Sequence, residues 1–308
     1  MEGFIKNVGP LEIVTLENGF IRCEMAPAAG GRITSVYNHA MRKEFLWSNQ
    51  DLPLEKPEPG TDYDTHFWGG IDELIPNDIP ETIDSVLYPD HGELWTTALS
   101  QEGSEKKVML HGKLPLSGLY YEKTLSLDAS SAVIHLDYRI VNVSGSERNF
   151  LWKLHAALAI QEGDRLITGA RRARIADLEY SRFTQPGEFA WPFIEHTDAS
   201  VIPARNQTMD FFYLYDIRQG EMRLENDSDG SVFACRYDKE VFPYQWYFAS
   251  YGKFFGHYMA ILEPCSSMPM SVNDAKRNGN CSRLEPRQEI NTRVSIYAGE
   301  KNNYANNG

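Results

Sequence analysis

The sequence predicts an all-β protein of antiparallel sheets with few short helices, as a single domain over residues 1–308. Three observations carry that expectation. Apolar residues recur with period two in short runs, hairpin turn signals separate the runs, and long helical periodicity is scarce.

Along the chain, "LEIVTLENGFIRCEMAP" (11–27) reads as two strands around an Asn18-Gly19 turn. "GGRITSVYN" (30–38) adds a strand after a glycine pair. "YYEKTLSLDASSAVIHLDYRIVNVSG" (120–145) is the clearest hairpin, two alternating runs split by "DASS". "EMRLENDSDGSVFACRYD" (221–238) repeats that design around Asp229-Gly230, and "FFGHYMAILEP" and "INTRVSIYAG" supply two late strands. "ARIADLEYSRF" (173–183) is the best helix candidate, and the basic run "ARRAR" (170–174) reads as a solvated loop. Residues 48–85 form one long irregular piece, expected to lie over a face of the sheet and to be functional, as long ordered loops in compact domains usually are. There is no linker, tandem repeat or low-complexity tract.

Composition narrows the function. A formal net charge of −13 argues against nucleic acid, which needs a positive footprint, and against an anionic membrane surface. No stretch approaches the roughly 20 apolar residues of a membrane span. The start "MEGFIKNVGPLEIV" has no apolar leader core, and Cys23, Cys235, Cys265 and Cys281 are scattered, so free thiols in a reducing cytoplasm are expected. Aromatic residues make up 12%, which hints at ring-lined grooves that stack on sugar faces, although rings are also ordinary core residues.

Among the eight histidines, His135 sits inside an alternating strand, while His39, His111 and His196 lie in polar stretches read as loops. His155 interrupts the apolar strand "FLWKLHAALAI" (150–160), as either a satisfied core group or a site group. Glu263 ends the apolar run "YMAILEP" just before Pro264, a costly place for a carboxylate if buried unpaired. His91 occupies the turn "LYPDHGELW" (87–95). His91 and Glu93 form an H-x-E pair, but no further Cys or His stands at ligand spacing, so neither a metal nor another cofactor is expected. Nucleophile-elbow, P-loop and H-E-x-x-H motifs are absent.

In order, "GGRITSVYN", "DHGELW", "LWKLHAALAI", "MDFFYLYD" and "MAILEPCSSMP" resemble the aldose 1-epimerase (galactose mutarotase-like) superfamily, from about residue 11 to 298. The resemblance implies a β-supersandwich fold and interconversion of the α and β anomers of a sugar by acid/base ring opening and closing. It assigns Glu263 as base, His155 as acid and His91 as a hydrogen-bond partner at the anomeric centre. Asp210 would hold a sugar hydroxyl, with Asp90 and Arg32 as further sugar-binding candidates. Trp246 would stack on the sugar face or pack in the core. Departures are visible: the chain reads "HFWGGIDELIPN" where mutarotases carry a G-R-x-x-N-R stretch, and Leu154-His155-Ala156 where they carry N-H before an aromatic. Trp95 stands where hexose-6-phosphate relatives carry an arginine, which weighs against a phosphosugar. The expected partner is a small-molecule sugar, with the protein a monomer or homodimer. The competing reading is a non-catalytic carbohydrate-binding or sensing protein on the same fold.

Overall fold

Hairpins dominate the chain, as the turn signals require. A computed structural model describes residues 5–8, 11–185 and 187–304; residues 1–4, 9 and 10, part of the stretch that reads as lacking a leader, lie outside it. Among the described residues, 18 strands join one hydrogen-bonded network whose strand pairs run antiparallel. The α-helices there are two short ones, Val272–Arg277 and Lys301–Tyr304. No helix of the described residues is long and apolar enough to cross a membrane.

Side chains close the turns that the sequence marks. Asn18 Oδ1 accepts from the backbone N–H groups of Phe20 and Ile21, both at 2.8 Å, and so sets the turn between Leu11–Glu17 and Ile21–Ala26. Asp128 Oδ1 does the same for "DASS", accepting from the Ser130 N–H at 2.9 Å and the Ser131 hydroxyl at 2.8 Å. The flanking strands, Leu119–Leu127 and Val133–Asn142, send Leu125, Ile134, Leu136 and Ile140 into the main core.

Five neighbouring strands carry the site: Ile71–Leu74, Lys153–Ala159, Tyr258–Cys265, Tyr244–Tyr251 and Thr208–Glu225, paired in that order. The register pairs His155 with Asp72, Lys153 with Cys265, Trp246 with Glu263 and Phe211 with Phe248. Paired residues share a face and successive residues alternate. Lys153, His155, Glu263, Trp246, Phe248 and Phe211 therefore stand on one face. Leu154, Ala156, Leu262, Tyr247, Ala249 and Phe212 turn to the other, where they join the main core.

Three local expectations need correction. The region expected as a helix, 173–183, instead finishes the strand Arg165–Ile175 and then makes one 3₁₀ turn, Leu178–Tyr180. Cross-strand pairing of Ala173, Arg174 and Ile175 with Leu214, Tyr213 and Phe212 overrides the local pattern. "ARRAR" is accordingly strand rather than loop, although Arg171 and Arg172 are solvated, facing Asp216 and Glu188. His111 lies in the strand Lys107–Lys113, its ring meeting the Tyr120 hydroxyl at 3.0 Å. The long 48–85 piece contributes the strand Ile71–Leu74, and the rest of it brings Tyr63, Asp64, Phe67 and Asp78 over the face just described.

Candidate active site

A lysine stands at the centre of this face. Lys153 Nζ lies 2.6 Å from Asp78 Oδ1 and 2.5 Å from Glu263 Oε2, and its side chain is only 3% exposed. Its ammonium sits 4.5 Å from the centroid of the Trp246 ring, which forms an aromatic floor beneath it. Burial disfavours the charged lysine, but the charges of Asp78 and Glu263 outweigh burial and raise its pKa, so the ammonium persists. Burial also pushes the Glu263 carboxyl above its ordinary range, against the opposing charge of Lys153.

Around this group a cavity of about 310 Å³ opens, lined by Glu263, Lys153 and His155 from the sheet and by Tyr63, Asp78, Asp90 and His91 from the loops. Phe67, Phe211, Phe248, Phe254 and Tyr180 give it aromatic walls, and Asp64 and Asp177 complete its acidic lining. Ligand cavities run from roughly 300 to 1,000 Å³, so this one suits a small molecule of about monosaccharide size.

The turn with His91 is strapped in place. Asn77 Nδ2 donates to the carbonyl oxygens of Ile79, at 2.8 Å, and Pro89, at 2.7 Å. The N–H groups of His91 and Glu93 donate to Asp78 O at 2.8 Å and Ile75 O at 3.0 Å. His91 adopts φ +55°, and Gly92 follows at φ +76° where an added Cβ would meet Ile75 O at 2.2 Å. Only glycine fits that second position. The tight turn presents the His91 ring, which stacks on Tyr63 at 4.0 Å with an 8° interplanar angle. Nδ1 meets Asp90 Oδ1 at 2.9 Å, and Nε2 lies 3.9 Å from Asp78 Oδ1. Burial opposes its charged form, yet the Asp90 hydrogen bond and the Asp78 charge prevail and raise its pKa. Glu93 turns away, accepting from the Leu116 and Ser117 N–H groups at 2.6 and 2.9 Å, so the H-x-E spacing is not a spatial pair.

His155 lies on the opposite electrostatic footing. Burial, then the charges of Lys153, His91 and Arg32, push its pKa well below the ordinary imidazole range. These surroundings favour the neutral ring and so weigh against the expected role as a protonated acid, whereas those of His91 favour its protonated form.

The structure brings Glu263, His155, His91 and Asp90 to one cavity and leaves three expected sugar contacts outside its lining. Asp210 faces the other side of the sheet, one residue from Phe211, which lines the cavity. There it is fully buried, 2.9 Å from Arg182 Nε and accepting from the Tyr251 hydroxyl at 3.0 Å, and burial pushes its pKa up to about 6. Trp246 is fully buried beneath Lys153, its Nε1 donating to Ser267 O at 3.0 Å, so it is floor rather than stacking surface. Arg32 is buried and clamps Asp72 with bonds of 2.7 and 2.9 Å. Lys153, Asp78 and Tyr63 were not singled out in the sequence. Lysine 153 did leave a signal: it breaks an apolar strand two residues before His155, the spacing that puts both on one face.

No family profile and no curated protein matches the sequence. Solved structures do match in shape. The chain is similar to a galactose mutarotase-like protein from Clostridium acetobutylicum, with a TM-score of 0.71 and 15% identity over 96% of this chain and 98% of that one. It is similar to a galactose mutarotase related enzyme from Lactobacillus acidophilus, with a TM-score of 0.67 and 14% identity over 94% and 98% of the two chains. A protein from Synechocystis sp. matches with a TM-score of 0.73 and 13% identity over 96% and 99%. Identities this low speak for shape alone. The antiparallel network and these near-complete superpositions give the chain the galactose mutarotase-like fold.

Proposed function

We propose that this protein interconverts the anomers of an uncharged, unphosphorylated aldose. The observation that supports this most is the meeting, in one cavity of about 310 Å³, of a buried carboxylate, Glu263, and an imidazole whose carboxylate neighbours favour its protonated form, His91. Ionised Glu263 takes the proton of the C1 hydroxyl while His91 protonates the ring oxygen. The C1–O bond to the ring oxygen breaks, C1 turns about its bond to C2, and closure on the other face returns both protons. The chemistry needs only this pair of proton transfers.

Charge supports the substrate class. Five carboxylates, Asp64, Asp78, Asp90, Asp177 and Glu263, line the cavity against Lys153 and two imidazoles. Lys153 is engaged by Asp78 and Glu263, so no ammonium is left for a phosphate. Juxtaposed like charges cost several kcal/mol. Polarimetry over a panel should therefore show neutral aldoses reaching anomeric equilibrium faster with the protein. Uronates and sugar phosphates should be accelerated at least about tenfold less. Phosphosugars turned over as fast as neutral ones would overturn the substrate class.

The pH profile should be a bell. The acid limb reports Glu263, which must be ionised, and lies above the ordinary carboxylate range because burial raises its pKa. The alkaline limb reports His91, which must be protonated, and lies above the ordinary imidazole value of about 6.5. His91→Asn should remove the alkaline limb from the residual rate. A limb that survives in His91→Asn would mean that another group is the acid.

Carbohydrate binding without turnover is the second reading. The 2.5 Å contact between Lys153 and Glu263 favours it, because a carboxylate held against an ammonium is a weaker base. A binder would raise Tm with a sugar and leave its approach to anomeric equilibrium unchanged.

A further inference from the structure

An unbroken line of hydrogen bonds joins His155 to Arg32. Arg32 donates through Nε and Nη2 to both oxygens of Asp72, at 2.7 and 2.9 Å. The Tyr63 hydroxyl lies 3.0 Å from Asp72 Oδ2 and 3.2 Å from His155 Nδ1. Arg32, Asp72 and Tyr63 are 1–2% exposed, and His155 is 4% exposed. Water therefore has little access to exchange these partners.

The direction of the line follows from counting hydrogens. Arginine only donates, so Asp72 is an ionised acceptor. The tyrosine hydroxyl has one hydrogen, and its contact with the carboxylate oxygen requires that hydrogen to point there. Its lone pair then faces His155 Nδ1, which must donate. Two lone pairs facing each other at 3.2 Å would leave a buried contact repulsive.

We infer that Arg32, Asp72 and Tyr63 are positioning residues that fix the hydrogen of His155 on Nδ1 and leave Nε2 as a bare acceptor in the cavity. Nε2 makes no hydrogen bond to any other described residue, and His155 lines the cavity. The imidazole is thus preset to accept a hydrogen bond from a hydroxyl of the ligand. That role rests on the sugar reading above; the tautomer does not.

The fold supports the device independently. His155 and Asp72 are register partners on adjacent strands, so the sheet fixes their spacing. Tyr63 is held from three sides: its ring stacks on His91 at 4.0 Å, meets Trp95 edge-on at 4.9 Å and lies 5.5 Å from Phe67. Tyr63→Phe keeps this ring packing and removes only the hydroxyl, which makes it a clean probe.

The test is ¹⁵N NMR of histidine-labelled protein, with no sugar present. In the wild type, His155 should show a protonated Nδ1 and an unprotonated Nε2, unchanged between about pH 5 and pH 8. In Tyr63→Phe the proton should redistribute toward Nε2. Where a sugar is turned over, that variant should lose about three- to tenfold in rate, the scale of one hydrogen bond, and keep the pH limbs of the wild type. A wild-type proton on Nε2, a His155 that titrates in that range, or an unchanged tautomer in Tyr63→Phe would each overturn the inference. Absence of any sugar turnover would instead defeat the anomerase reading, because the tautomer is read without substrate.

Discussion

Replacing Glu263 by glutamine should lower anomer interconversion by roughly 10²- to 10⁴-fold, the scale of a lost general base. Sugar affinity should change little, because the amide keeps the shape and can still accept from Lys153. The fold should survive as well, since Lys153 retains Asp78 at 2.6 Å. The loss therefore belongs in kcat, and a fall confined to KM would mean that Glu263 only binds the sugar. Combining Glu263→Gln with His91→Asn should cost barely more than either change alone, because an acid and a base that act in one step lose their value together. Near-normal turnover by Glu263→Gln, on a sugar that the wild type turns over, would remove this carboxylate from the mechanism.

The strands were legible because the information that specifies them is local. Asn18, Asp128 and Asp229 each accept backbone N–H groups two or three residues on, so the residues that mark a turn are also those that build it. The pattern failed where distant pairing decided the outcome. In 173–183 the chain could locally turn as a helix, but Ala173 to Ile175 have partners in Leu214 to Phe212, nearly forty residues on, and stay extended. Asp177 does cap a turn, its side chain accepting from the Glu179 N–H, yet that turn lasts only over Leu178–Tyr180.

The candidate site was legible in part for the same reason. His91, His155 and Glu263 each break a local pattern, as a ring in a turn, a ring in an apolar strand and a carboxylate at a strand end. Asp210 breaks one too, but its neighbour Phe211 lines the cavity, and alternation then sends Asp210 to the core side. What gathers these residues into a candidate site is the company they keep. Asp78 arrives from a loop and Lys153 from a strand, and their charges act on Glu263 and His91 beside burial and the Asp90 hydrogen bond. No spacing within the sequence encodes that meeting, since residues 78, 153 and 263 come together only when the strands pair.

Lys153→Met gives the largest expected effect on stability. Methionine fills a similar length and packs favourably on an aromatic ring such as Trp246, so the change is mainly one of charge. It leaves Asp78 and Glu263, with side chains 6% and 2% exposed, facing each other without the ammonium. Removing one partner of a buried ion pair typically costs about 3–5 kcal/mol, and that loss is expected near neutral pH. One of the two carboxylates should then hold a proton in the folded state that it would release on unfolding. A folded state that binds more protons than the unfolded chain loses stability as pH rises. The deficit should accordingly grow from about pH 5 to about pH 8 and shrink on acidification. Wild-type Lys153 behaves differently: its raised pKa keeps its contribution intact at neutral pH and surrenders it only as pH rises past the ordinary lysine range. Adding Glu263→Gln to Lys153→Met should restore much of the loss by removing one stranded charge. Urea unfolding of the three proteins at both pH values measures all of this. A Lys153→Met protein as stable as the wild type at about pH 8 would mean that the ammonium does not compensate the two carboxylates, and that Glu263 owes its state to burial alone.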